Sequence, residues 1–280
     1  MLTTDELTID LEQRDKKGFW PSDFGKMNIE LYWAFKREPK TNVATWNETL
    51  KWGAGKGVEM QMLQVLKDSG IVPENYDQME HGRIDSNMRS VPVRGFIDAK
   101  TMQGLPIEIK SINNKNMWDI KNYENGQPKE NYVGQLALYM ESLGVSKGYL
   151  FVASIDGLNY FLFECNKIDE GQYRCGSVEV NVHTELDKWR KLFYNNFLKD
   201  VEPDVNQFMY KIPIEEVDWT SLSKDKISKA RNNKAVIGDW QVTYSDWKDL
   251  IIEKQGATLG YTDDEIARIK VLTKGYSAKS

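Results

Sequence analysis

The chain is poor in the residues that build thiolate and imidazole sites. Its 280 residues include two cysteines, Cys165 and Cys175, and two histidines, His81 and His183. Two cysteines cannot complete a four-thiolate cluster or a zinc ribbon, and a disulfide between them is not expected in a reducing compartment. With so few soft ligands, any catalytic metal would be held by oxygen, which suits Mg²⁺ or Mn²⁺. No apolar run approaches the roughly 20 residues that span a bilayer. The polar, acidic N-terminus "MLTTDELTIDLEQRDKK" does not read as a signal peptide. The expectation is a cytoplasmic protein with no membrane partner. An excess of positive charge is missing too. The formal net charge is −5, so a nucleic-acid partner would have to be met by local basic patches. "KDKISKARNNK" (Lys224 to Lys234) is one such run, and Lys36, Arg37 and Lys40 form another. Either reads equally well as a solvated helix face. Internal repeats and low-complexity segments are absent.

What remains is ordinary for a globular chain, 40% hydrophobic and 28% charged, with many aromatic residues that can fill a core or stack on a ligand. "WPSDFGKMNIELYWAFKREP" reads as a helix with Pro21-Ser22 before it, Asp23 in its first turn and Pro39 after it. A second helix is expected from Gly57 to about Lys67, ended near Gly70. Strands follow over Val91–Lys100 and Leu105–Ile112, then a helix over Tyr132–Leu143. "GYLFVASID" and "LNYFLFEC" read as a hairpin turning near Asp156-Gly157. A long amphipathic helix is expected over Glu179–Leu198, and "WTSLSKDKISKARNN" as a further helical stretch. Near the end, Thr262 and Glu265 make a capping box, Asp263 and Asp264 favour the positive helix end, Gly275 can terminate the helix, and "YSAKS" frays. The order of elements predicts an α/β core with a mixed sheet.

The stretch "GFIDAKTMQGLPIEIK" (Gly95 to Lys110) puts charge where the pattern says buried sheet. Strand side chains alternate faces, so Leu105, Ile107 and Ile109 point one way and Glu108 and Lys110 the other. A turn about Gln103 would set Asp98 opposite Glu108 on that same face. Facing carboxylates repel, and desolvating them is costly unless something cancels the charge. A divalent cation would do so, and would lower the pKa of a bound water. The alternative is a hairpin whose charged face meets water. The triplet Glu-x-Lys alone means little, since Glu38-Pro39-Lys40 and Asp119-Ile120-Lys121 also fit it.

Four motifs occur together: Glu59 in "GKGVEMQML", Gly95-Phe96-Ile97-Asp98, Glu108-Ile109-Lys110, and Gln135-Leu136-Ala137-Leu138-Tyr139. In this order and spacing they resemble the PD-(D/E)XK nuclease superfamily, in the branch of RecB-type nuclease domains and CRISPR-adaptation exonucleases. The resemblance implies a restriction-endonuclease-like core, a central mixed β-sheet flanked by helices, with an added helical C-terminal segment. It makes Asp98, Glu108 and the Ile109 carbonyl ligands of Mg²⁺ or Mn²⁺, with Glu59 a ligand or a water-mediated contact. Lys110 becomes the catalytic lysine, and Gln135 and Tyr139 position the site and the DNA backbone. The histidine that usually precedes the helix acid is replaced by Val58, which leaves one metal or two open.

The flanks resemble the same branch where many members carry an iron–sulfur cluster. "PSDFGKM" (Pro21–Met27) and "WQVTYSDWKDLI" (Trp240–Ile251) align Trp240, Tyr244, Trp247 and Asp249 with that scaffold. The four cysteine positions are Met27, Val242, Ser245 and Ile251, and none supplies a thiolate. The expectation is no iron–sulfur cluster and a clamp kept as an apolar contact. The domain layout implied is a nuclease domain over 1–252 and a helical appendage over 253–280. Within the nuclease domain an N-terminal helical part spans 1–56, a catalytic core 57–200 and a C-terminal clamp 201–252. The resemblance implies a metal-dependent DNA exonuclease of phage or bacterial recombination or repair, partnered by DNA ends or single strands and by recombination or replication proteins. If phage-encoded, it would work in the host cytoplasm. A site-specific endonuclease and a non-catalytic DNA-binding module are the alternatives. Phe19, Trp20, Tyr32 and Trp33 are candidates for gripping unpaired bases, or for core.

Overall fold

A computed structural model of the chain describes residues 18–42, 44–113, 117–155 and 159–274, with the backbone alone at 117 and 118. The acidic N-terminal run, the Asp156-Gly157 turn, Gly275 and "YSAKS" lie outside the described residues. In chain order the helices are α1 (Asn28–Lys36), α2 (Trp46–Asp68), α3 (Gln78–His81), α4 (Met117–Glu124), α5 (Glu130–Leu143), α6 (Val182–Leu192), α7 (Lys224–Arg231), α8 (Trp240–Thr243), α9 (Lys248–Lys254) and α10 (Asp263–Leu272). The strands are β1 (Arg83–Met88), β2 (Val91–Phe96), β3 (Ala99–Lys100), β4 (Pro106–Ile112), β5 (Lys147–Ser154), β6 (Tyr160–Asp169), β7 (Gln172–Cys175) and β8 (Val178–Asn181). They fall into two compact units, Met1–Lys26 with Ala44–Val201, and Met27–Val43 with Glu202–Ser280.

The first unit is an α/β layer structure with a six-stranded mixed sheet in the order β3-β4-β5-β6-β7-β8. Only β4 and β5 pair in parallel, and the connection between them runs through α4 and α5, as a parallel crossover requires. Ile107 and Ile109 pack with Met62, Leu63 and Leu66 of α2. The alternate residues of β4 face α5, which is buried from Val133 to Met140. The sheet is therefore covered by helices on both faces around β4, so both sides of that strand are interior. A separate antiparallel ribbon, β1–β2, precedes the sheet.

Several boundaries depart from the sequence expectation. The second helix starts at Trp46, not Gly57, because Thr45 and Glu48 form a capping box. The glycines at 53, 55 and 57 hide that start in the sequence. The strand expected over Val91–Lys100 breaks at Ile97 and Asp98, where the chain leaves the ribbon for the six-stranded sheet. β1, β7 and β8 were not anticipated; β8 occupies the beginning of the stretch expected as a long helix, and Asn181 caps α6 through Thr184 N at 3.0 Å. Asp23 lies in a short 3-10 turn over Pro21–Asp23, and α1 begins only at Asn28.

The second unit gathers α1 and α7–α10. Ile214, Val217, Trp219, Ile227, Ala230, Tyr261 and Ile269 form its apolar cluster. The Thr262–Glu265 capping box opens α10 as expected, and residues 253–280 fall in this unit with 202–252. Met27, Val242 and Ile251 have no exposed surface, and Ser245 is 1% exposed. Trp247 packs with Trp33 at 6.2 Å between ring centroids and donates its indole N–H to the Glu38 carbonyl at 3.0 Å. Of the four aromatics considered for base stacking, Phe19, Tyr32 and Trp33 are core residues, and only Trp20 keeps partial exposure. Among the described residues no helix is long and apolar enough to cross a membrane.

Candidate active site

The charged residues of the Gly95–Lys110 stretch meet where β3 pairs with β4. Ala99 lies opposite Ile107 and Lys100 opposite Pro106, so one further step of the antiparallel register sets Asp98 across from Glu108. The water-facing hairpin is excluded: Glu108 is fully buried. Lys110 Nζ forms an ion pair with Glu108 Oε1 and lies 5.5 Å from the centre of the Tyr132 ring on α5. Among the described residues, neither oxygen of Glu108 accepts a well-directed hydrogen bond.

The backbone just before Asp98 is held from several sides. Tyr139 of α5 donates its hydroxyl to the Phe96 carbonyl at 2.9 Å. Tyr76 donates to the Ile97 carbonyl at 2.9 Å, and Ile97 N donates to Gly82 O at 2.8 Å. Asp98 then accepts from Gln78 Nε2 on Oδ1 and from the Ile109 backbone N–H on Oδ2, both at 2.9 Å. Two glycines permit this closeness. A Cβ on Gly82 would stand 2.4 Å from the Ile97 carbonyl oxygen, and one on Gly95 2.9 Å from the Pro21 ring. Gly95 is thus required by packing in the Gly-x-x-Asp motif. Gln135 Nε2 reaches the Tyr139 hydroxyl at 3.4 Å, so this pair, one face of α5, braces the strand end that carries Asp98. Tyr139 is 3% exposed.

Glu59, on α2, pairs with Lys56 one turn earlier at 3.3 Å. Burial raises the pKa of Glu59, and the Asp98 carboxylate raises it further against Lys56 and Lys110. Burial likewise raises Asp98, opposed by Lys110, the Ile109 N–H, Lys56 and Gln78. Glu108 is pushed up to about 8, first by burial and then by Asp98, with Lys110 opposing. Burial alone would lower Lys110, but the three carboxylates outweigh it and hold its pKa above the ordinary value. Lys110 is consequently an ammonium at physiological pH. It can stabilise developing negative charge, but it cannot take up a proton.

The oxygen donors have the hardness that Mg²⁺ or Mn²⁺ takes, and a cation would relieve the mutual repulsion of the three acids and supply partners for the two Glu108 oxygens. As the side chains stand, however, no group of three Asp, Glu, His or Cys among the described residues is drawn together enough to hold an ion. Sequence reasoning missed Gln78, Tyr76, Lys56 and Tyr132. Gln78 and Tyr132 gain their contacts from α3 and α5, Tyr76 from the connection between α2 and α3, and Lys56 pairs with Glu59 one turn on within α2.

No family model matches the chain, and no curated protein matches it. Solved structures with some similarity include one described as SSO0001, at 14% identity over 76% of this chain and 88% of that one, TM-score 0.42. An alkaline exonuclease, LHK-Exo, from Laribacter hongkongensis is 16% identical over 65% of this chain and 92% of its own, TM-score 0.40. LHK-Exo in complex with dAMP is 15% identical over 66% and 90%, TM-score 0.41. At these scores the likeness carries no argument about this chain's activity.

Proposed function

We propose that the chain is a metal-dependent deoxyribonuclease of exonuclease type, hydrolysing phosphodiester bonds at DNA ends or in single strands. The observation that carries this reading is a fully buried Glu108 paired with Lys110, with Asp98 across the hairpin on the same face. Burying such charges costs several kcal/mol, and packing alone gives no reason to keep them. In this reading Asp98, Glu108 and the Ile109 carbonyl hold Mg²⁺ or Mn²⁺, with Glu59 direct or through water. When bound, the cation supplies a polarised phosphate and a water of lowered pKa. The chain's own groups do the rest. Lys110 stabilises charge on the scissile phosphate in the transition state. Gln78 and the Ile109 N–H orient Asp98 and favour its ionised form against the burial that raises its pKa. Tyr76 and Tyr139, braced by Gln135, fix the backbone from which Asp98 projects.

The test is an end-labelled DNA assay with Mg²⁺ or Mn²⁺ on wild type, Asp98→Ala and Lys110→Ala. Progressive shortening from one end, abolished in both variants, supports the reading; discrete internal fragments would replace it with an endonuclease. A second reading, a module that binds DNA without cutting it, draws on the acids not being gathered around a common point. Metal-independent binding with no cleavage by wild type would favour it.

A further inference from the structure

A cleft of about 130 Å³ lies beside the site, lined by Trp20, Arg83, Ile84, Asp85, Arg94, Gly95 and Phe96. Its geometry follows from pairing. Asp85 is opposite Arg94 and Arg83 opposite Phe96 in the β1–β2 register, so these four side chains share one face of the ribbon. Trp20 is brought there because Phe19 bridges Val93 in parallel, with Phe19 N donating to Pro92 O and Arg94 N donating to Phe19 O, both at 2.8 Å. Arg94 gives Nε to Asp85 at 3.1 Å, and Arg83 Nη2 stands 3.7 Å from the other carboxylate oxygen. One acid faces two guanidiniums, which leaves a net positive charge. The terminal nitrogens of Arg94 make no further ion pair among the described residues. Burial alternates along β2, so Arg94 and Phe96 lie on its partly exposed side. Phe96, at one wall of the cleft, stands two residues before Asp98 in the chain.

We propose that this cleft holds one nucleotide unit of a single DNA strand, the base against the Trp20 and Phe96 rings and its phosphate on Arg94 and Arg83. The proposal takes a polynucleotide substrate from the reading above and names how the strand is held next to it. Aromatic rings stack on any base without reading sequence, and a guanidinium fork matches phosphate oxygens. The pairing of flat rings with cationic forks on one strip favours a nucleic-acid strand over a protein segment.

The test is fluorescence anisotropy of the full chain with a labelled single-stranded oligonucleotide, calcium replacing magnesium. A second probe lacks the bases at the same backbone positions. Trp20→Leu should weaken binding of the normal strand about 5- to 100-fold and leave the abasic strand unchanged. Phe96→Leu, at the other wall, should act in the same sense and stands in if the Trp20 variant fails to melt cooperatively. Arg83→Gln with Arg94→Gln should weaken both probes and lower the slope of log affinity against log salt by about 0.7 for each phosphate no longer neutralised. Equal weakening of both probes by Trp20→Leu and Phe96→Leu, or an unchanged salt slope in the arginine variant, overturns the proposal. So does a wild type that binds neither probe. A wild type that binds as described but never cleaves with Mg²⁺ or Mn²⁺ removes the nuclease reading and leaves the cleft standing.

Discussion

Two buried places in this chain answer the same question differently. In the first unit, Glu108 is fully buried with Lys110 against it and Asp98 across the strand. In the second, Met27, Val242 and Ile251 are fully buried and carry no charge. One has ionisable oxygen donors at the cost of like charges pressed together; the other has residues that gain from exclusion of water. A buried apolar contact needs no partner to be stable, whereas a buried carboxylate such as Glu108, with a second acid across from it, invites a counter-ion. The difference separates a place that carries buried charge from one that carries none.

The largest effects should fall on the first place and be read as activity. Asp98→Ala, Glu108→Ala and Lys110→Ala are each expected to lower cleavage about 10²- to 10³-fold in the end-labelled assay while melting cooperatively. If any retained full rate, the comparison would break on that side. On the other side, Ile251→Ala should cost about 2–5 kcal/mol in urea unfolding and leave cleavage chemistry intact once folded. A cost near zero would mean that this place is not packed as its burial implies.

The acids also predict a pH signature. Glu108 binds its proton more tightly folded than unfolded, with a folded pKa raised to about 8 from 4.5. Its contribution is therefore fully present below about 4.5, is lost as pH rises toward 8, and is flat beyond. Glu108→Gln should flatten that part of the melting-temperature profile. Added Mn²⁺ should raise the wild-type melting temperature near pH 8 and not that of the variant, because a ligand stabilises only the state that binds it. Glu141 gives the opposite sign. Burial would raise it, but hydrogen bonds from Tyr173, His183 and Lys167 outweigh burial and bring it to about 2 from 4.5. Its stabilisation is present above 4.5 and lost as pH falls toward 2, so Glu141→Gln should flatten the acid limb in circular dichroism. The smallest expected effect is at Gln78. Removing its bond to Asp98 costs about 1 kcal/mol and should move the acid limb of the cleavage profile upward, since that bond favours the ionised carboxylate.

The helix over Glu130–Leu143, the β5–β6 hairpin and the capping box at Thr262 were legible in the chain because each is written in nearest-neighbour chemistry: apolar spacing, alternation, a cap three residues from its acid. β1 and the β7–β8 hairpin were not, since "RIDSNM", "QYRC" and "VEVN" are short and acquire their strand state from the partner across the ladder. The same division holds at the candidate site. The residue types at Asp98, Glu108 and Lys110 stand out in the sequence because charge interrupts an apolar alternation. Gln78, Tyr76 and Tyr132 are ordinary letters there and gain their contacts only when α3, the segment before it and α5 are brought to the β2–β3 break and β4.

By itself the sequence determined the chemistry available: hard oxygen donors, one ammonium group, and no thiolate at the four positions of the second unit. Tertiary structure alone decided which of those groups are buried, which backbone carbonyls are braced beside Asp98, and which of the many aromatic rings remain within reach of a ligand. The physical reason is that local propensity acts over a few residues, while burial and the electrostatics that follow from it are properties of elements far apart in the chain brought against one another.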